Sequence, residues 1–307
     1  MMSPRSSLPL AIALLAAPLC ACSEPEAAAT VTSAEEIGLL QESDLIQGRD
    51  GGASARLWGR SVFTFGDTVI NVPDEAGESW HHNSYSFSDD SDASNGIGPL
   101  TELLDSAGAP RYFLAPTADE AAFNAEHAGD DCEVTPCRAR FGVWPSEPVW
   151  DEERNRALVF YGLIYSEPGD FNFSGVGTSI AVWSGPDEAP ERPEVRPGEE
   201  HPTLMWKADE RAPEGSGSFV SGSDLCAFQC RQEGLSRPCV LYSAPLADAL
   251  DPAAWRAWDG SAWTSDLEAG EDLFHGARGA HPGGRGEAVA ARVRARSGIF
   301  GRAHEVS

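Results

Sequence analysis

Three times along the chain, two strand-like runs joined by a polar turn are followed, after a loop, by a third run. No other feature of the sequence constrains the fold as strongly. The first unit runs from Leu57 to Ile70 and continues at Ser84–Ser88 (SYSFS). The second runs from Val149 to Tyr165, turning at DEERNR, and continues at Thr178–Trp183 (TSIAVW). The third runs from Phe219 to Cys230, turning at SGSD, and continues at Cys239–Leu246. Within each run the apolar residues alternate or form short blocks bounded by Gly, Asp, Ser and Pro, which is the period of strands and not of helices. No helix longer than the DPAAW turn region is expected. The chain is therefore predicted to be all-β, and a β-propeller fits best: its four-stranded blades place their inner strands around a central channel, and insertions between blades explain the irregular spacing. Seven to nine short strands would also build a β-sandwich, the second choice. WRAWDGSAW (Trp255–Trp263), turning at Asp259-Gly260, is expected to give outer-strand aromatics to the core.

The stretch from Arg49 to Ile70 (RDGGASARLWGRSVFTFGDTVI) is where chemistry is expected to begin, because it sets two carboxylates, Asp50 and Asp67, around a tight strand pair. Gly51 and Gly52 free the backbone after Asp50, Gly59-Arg60 is the expected hairpin loop, and Ser61 to Phe65 alternates. Asp67 shares the parity of Phe63 and Phe65, so it leaves the strand on an apolar face unless Gly66 bulges and re-aims it.

With 307 residues, 41% of them apolar, the chain can bury one large core or two modest ones. Its net charge of −26 repels phosphate backbones and anionic headgroups, so no nucleic-acid partner is expected, while neutral or cationic partners remain open. Arg5 followed by the apolar run Leu8–Leu19 reads as an export signal, too short to span a bilayer in the folded protein. Leu19-Cys20-Ala21-Cys22 resembles a bacterial lipobox, which makes Cys22 the expected lipidated residue and a lipid anchor the only expected membrane contact; Ser23 after it resembles a signal for outer-membrane sorting. The alternative is ordinary cleavage near Ala21 and a periplasmic or secreted product. Residues 1–22 are thus read as a signal segment, 23–39 as an acidic tether, 40–277 as the folded domain, and 278–307, with six Arg and two Glu, as an atypical basic tail.

In an oxidising compartment, Cys132 and Cys137 can close a small loop, and Cys230 and Cys239 flank a turn-rich segment that would place them on neighbouring strands, leaving Cys226 as a buried thiol. No C-x-x-C pair occurs and the His residues lie elsewhere, so neither a metal site nor a cofactor is expected. Ser54, Ser84 and Ser88 lack a G-x-S-x-G context, which gives a serine hydrolase little support.

Asp50 through FGDT (Phe65–Thr68), WHHNSYSFSDD (Trp80–Asp90), FGVWPSEPVW, GTSIAVW, the run from Leu225 to Cys230, CVLYSAPLADAL and WRAWDGSAW occur in an order that resembles the domain-of-unknown-function 4185 family, over roughly residues 40 to 277. The resemblance implies a five-bladed propeller in the neighbourhood of glycoside hydrolase family 43 and, from some members of the family, endo-acting hydrolysis of arabinan. It carries Asp50, Asp67 and Asn83 over as functional positions. Where the family continues with a His-Trp motif and further blades, this sequence has its Arg-rich tail, so an incomplete propeller of about three to four blades is expected.

Glycoside hydrolysis needs one carboxylic acid for the leaving oxygen and one carboxylate as base or nucleophile. Asp67, on the aromatic-flanked strand, is expected to be the acid, and Asp50, in the wetter loop, the base or nucleophile. Asn83 could hold a ring hydroxyl, Trp80 or His81 could stack on or bond to a sugar, and Glu147, at the start of a strand, is a third acid, with Trp144 beside it read as packing. With the resemblance, which implies a furanosyl glycan, the predicted activity is hydrolysis of an extracellular furanosyl polysaccharide such as arabinan. The alternatives are a surface lipoprotein that binds glycan or protein without cleaving it, and an inactive truncated family member.

Overall fold

The structure is a computed structural model and describes residues 40–90, 92, 96–234 and 236–274. The expected signal segment with Cys22, the tether and the Arg-rich tail lie outside the described residues. The described residues belong to one compact unit, Ser33–Ser307.

The fold is built from antiparallel sheets, and the three recurring units are its frame. In the first, β2 (Ala53–Leu57), β3 (Arg60–Phe65), β6 (Ser84–Ser88) and β7 (Thr101–Glu102) lie side by side in that order. An excursion between β3 and β6 supplies β4 (Thr68–Ile70) and β5 (Trp80–His81), which pair with β1 (Ile46–Arg49) as a small three-stranded sheet. The second unit is a meander of β8 (Arg140–Asp151), β9 (Arg156–Ser166), β10 (Phe173–Trp183) and β11 (Trp206–Lys207). The third is β12 (Ser218–Ser221), β13 (Asp224–Cys230), β14 (Cys239–Pro245), β15 (Arg256–Trp258) and β16 (Trp263–Thr264), with β17 (Asp272–Phe274) also on β14. The all-β expectation holds; the first two expected hairpin-plus-strand units each gain one further strand, and the third gains three. Among the described residues none of the sheets closes on itself.

The apolar run of β9 explains how the units stack. In a pleated strand successive side chains face opposite ways, so a run with no alternation must be buried on both faces. Leu158 and Phe160 enter a core with Ile180, Met205, Leu225, Val240, Tyr242 and Trp255, shared by the second and third units. Val159, Tyr161 and Leu163 enter another with Leu57, Val62, Tyr85, Phe113 and Trp183, shared by the first and second. Each large side chain so buried contributes roughly 1.5–3 kcal/mol. The second unit is thus held between the other two, and the first strands of the three units come together, with β8 touching both β2 and β12.

Three local expectations need correction. The β2–β3 register pairs Leu57 with Arg60, so the loop is Trp58-Gly59 and not Gly59-Arg60. Trp58 takes a left-handed φ of 49° because its ring packs edge-on against Trp150 (5.3 Å) and Trp183 (4.8 Å). Glu147 does not start a strand; it lies inside β8, where the register shifts between Pro145 and Pro148. A helix, α1 (Ala118–Glu126), is also present. Its capping box joins the Glu120 backbone N–H to the Thr117 hydroxyl (3.3 Å) and the Thr117 N–H to the Glu120 carboxylate (2.9 Å). The buried Glu120 carboxylate also receives both terminal nitrogens of Arg192, at 2.6 and 2.8 Å, which fixes the helix to the chain leading into β11. Both expected disulfides, Cys132–Cys137 and Cys230–Cys239, are formed, and Cys226 is a buried free thiol.

Because the Arg192–Glu120 pair is only 4% and 5% exposed, Arg192→Leu is expected to lower the urea unfolding free energy by about 3 to 5 kcal/mol, since it leaves a carboxylate buried without its cation. Adding Glu120→Leu to that variant is expected to recover most of the loss.

Candidate functional site

Asp50 and Asp67 are held together by the backbone. The β1–β4 ladder ends with Arg49 opposite Thr68, and the β2–β3 ladder begins with Ala53 opposite Thr64. Between them the ribbon kinks, and two hydrogen bonds carry it across: the Asp50 N–H donates to the Asp67 carbonyl (2.9 Å) and the Gly66 N–H donates to the Asp50 carbonyl (3.0 Å). The two acids therefore lie on opposite sides of one ribbon, as cross-strand neighbours. The Asp50 side chain folds over Gly66 so closely that a Cβ there would sit 2.6 Å from Oδ1, so a side chain at this position would push the carboxylate aside.

This kink forms one wall of a cleft of about 410 Å³. Asp50 to Ala53 and Gly66 line it on the first unit, Trp144 to Glu147 on β8, and Gly215 to Gly217 on the approach to β12. The cleft thus opens where the first strands of the three units meet. The third wall is backbone by necessity: a Cβ at Gly215, whose φ is +68°, would lie 2.4 Å from that of Phe160, so the loop is pressed against the core. No sequence expectation falls on this wall, although the glycine-rich run PEGSGS marks it.

The two acids sit in different surroundings. Asp50 is exposed and Asp67 half-buried. Burial raises the Asp67 carboxyl above the ordinary aspartate value. A hydrogen bond from Trp144 Nε1 to Oδ1 (3.2 Å) opposes the rise, the negative charge of Asp50 adds to it, and the Arg140 guanidinium opposes it. Trp144, expected only to pack, is therefore bound to the acid as well as lining the cleft. Glu147, from the β8 bulge, accepts from the Ser218 N–H and hydroxyl, which ties β8 to β12.

The remaining expected positions are structural. Asn83 is fully buried and its amide is satisfied on every side: Nδ2 donates to the carbonyls of Leu114 (2.9 Å) and Val143 (2.8 Å), and Oδ1 accepts from the N–H groups of Phe113 (3.0 Å) and Leu114 (2.8 Å). It has no bond left for a sugar hydroxyl. The His81 side chain is 1% exposed, stacked on Tyr112 at 3.9 Å and bonded to Asp74 (3.1 Å), and burial lowers its pKa despite that carboxylate. Trp80 carries the Arg140 guanidinium on one face at 3.5 Å and the edge of His82 at 4.7 Å, and does not line the cleft. His82 is itself buried, which together with the charge of Arg140 pushes it down to about 3, so it stays neutral. Among the described residues no group of three or more His, Cys, Asp or Glu could hold a metal ion, and no helix is long and apolar enough to cross a membrane.

No protein-family model and no curated protein matches the chain. Among solved structures, one similar to it is described as a "putative hydrolase from Bacteroides ovatus". The identity is 13%, the match covers 73% of this chain and 57% of that one, and the TM-score is 0.38. This chain therefore spans little more than half the length of that protein, and a likeness of this size carries no argument about chemistry.

Asn83→Ala would strip two carbonyls and two N–H groups of their partners inside the fold. It is expected to destabilise the protein by about 3 kcal/mol or more, seen as a lower thermal midpoint.

Proposed function

We propose that this chain is a glycoside-hydrolase-like protein whose cleft acts on an extracellular furanosyl polysaccharide such as arabinan, and that its three meanders are blades of a propeller of the domain-of-unknown-function 4185 kind. The observation that carries the reading is the unequal pair of acids on the kinked ribbon: Asp50 lines the cleft, while Asp67, next to the lining residue Gly66 and not itself in the lining, bonds to Trp144, which does line it. Asp67, half-buried and raised by burial and by Asp50, is suited to hold a proton at a pH where an ordinary aspartate has lost it. Asp50, exposed beside it, is suited to act as the carboxylate.

In this reading the Asp67 carboxyl gives its proton to the glycosidic oxygen as the bond to the anomeric carbon breaks. Asp50 either takes a proton from an attacking water or attacks that carbon itself. Glu147 faces the same cleft from β8, as a third acid that can bond to substrate hydroxyls. The disulfides support export, since such bonds persist in oxidising compartments. Lipid anchoring through Cys22 is part of the same proposal.

The test is to offer arabinan and arabinogalactan to the purified protein and to its Asp50→Asn and Asp67→Asn variants. The proposal expects release of reducing ends by the parent and a loss of at least about a hundredfold in each variant, the scale of a positioned acid or base. Equal activity in all three, or binding without cleavage by the parent, would overturn the hydrolase reading, and the latter would favour a glycan-binding surface protein. The pH dependence gives a further test with a fixed sign. A general acid works only while protonated, so activity should fall as pH rises through the Asp67 pKa. Trp144→Phe removes the bond that favours the charged form, so this alkaline limb should move to higher pH.

A further inference from the structure

Trp144, which lines the cleft, has an apolar neighbour that the acid chemistry does not use. Trp144 meets Phe173 edge-on, with ring centroids 5.0 Å apart. That contact is not one a flat sheet could make. Trp144 pairs with Gly162, and Phe173 pairs with Ser166, four residues further along β9 and one strand beyond. In a flat sheet their Cα atoms would stand roughly 15 Å apart, more than the two side chains can bridge. The end of the β9–β10 hairpin must therefore curl over the sheet, and the register shift between Gly175 and Gly177 is where β10 departs from regular pairing. At its tip Phe171 is held at a left-handed φ of 55° and is 90% exposed, while Phe173 is 47% exposed. Two large apolar rings are thus exposed at this end of the hairpin, and one of them, Phe173, packs on the indole that lines the cleft and bonds to Asp67.

We infer that the curled end of the β9–β10 hairpin, through Phe173 beside Trp144 and with Phe171 exposed at its tip, is a stacking subsite for a sugar ring of a neutral glycan whose chain continues into the cleft. The chemistry of the two walls selects that ligand. The carboxylates of Asp50 and Glu147 and the glycine backbone demand hydroxyls or other hydrogen-bonding groups, while the Phe rings demand an apolar face. A saccharide carries both, C–H bonds on its face and hydroxyls at its edge. A polyanion is excluded by the net charge of −26 and by the acids in the cleft, and a wholly apolar ligand would take water from the exposed Asp50 carboxylate and return no hydrogen bond. This inference rests on the proposed glycan-directed function but not on catalysis.

The experiment measures equilibrium binding of soluble arabinan and arabinogalactan to the purified Asp67→Asn protein, alone and combined with Phe173→Ala, Phe171→Ala or Phe173→Tyr, with thermal midpoints recorded for each. Phe173→Ala is expected to weaken binding about tenfold, Phe171→Ala less, and Phe173→Tyr to stay within about twofold of the Asp67→Asn parent, which separates ring loss from misfolding. Affinity unchanged in both alanine variants, or no binding of either glycan by the Asp67→Asn parent, overturns the inference. Hydrolysis by the natural chain is scored separately. Cleavage with Phe-independent binding defeats the subsite and spares the hydrolase reading; Phe-dependent binding without cleavage does the reverse.

Discussion

Two backbone hydrogen bonds, from Asp50 to Asp67 and from Gly66 to Asp50, hold together the ribbon on which the candidate site is built. They carry one antiparallel pairing from the small β1–β4–β5 sheet into the first four-stranded unit, across three residues on each side that belong to neither ladder. Residues at such a kink are free of the pleat, so their side chains can be aimed independently of the strand period. That freedom lets Asp50 lie over Gly66 in the open while Asp67 turns toward the Trp144 indole.

The kink is useful only because the rest of the fold brings two more walls to it. β9 is buried on both faces, which fixes the second unit against its neighbours and sets β8 next to β2 and β12. Asn83 ties the start of β6 to Phe113, Leu114 and Val143, so the first unit cannot shift along β8 without breaking buried polar bonds. Gly215, packed on Phe160, brings the third unit's backbone to the cleft. The positions of Trp144 and Glu147 relative to the acid pair are consequences of this core.

The parts of the fold visible in the sequence were those with a local physical signature. Hairpins turning at DEERNR and SGSD, the long apolar run of β9 and the glycines around Asp50 all follow from period and turn chemistry. The short strands β7, β11 and β15 have two or three residues, too few to show a period. α1 has a weak apolar face and so little periodic signal, although Thr117 and Glu120 stand at capping-box spacing. Trp58 occupies a turn position that no local rule assigns to a tryptophan; the rings of Trp150 and Trp183 put it there. At the site, the acid pair was legible from its flanking glycines. The structural role of Asn83 has no local signal, because its four bonds reach groups thirty to sixty residues away. The bond from Trp144 to Asp67 crosses 77 residues and has no local signal.

The account rests on one electrostatic asymmetry, a raised carboxyl at Asp67 sustained by burial and by the charge of Asp50 across the ribbon. Carboxyl-carbon NMR titration of Asp67 in the natural chain and in Asp50→Asn tests it most directly. The account predicts that Asp67 titrates above the ordinary aspartate value and that its pKa falls when the Asp50 charge is removed. An Asp67 that titrates at or below the ordinary value, with no response to Asp50→Asn, would contradict it.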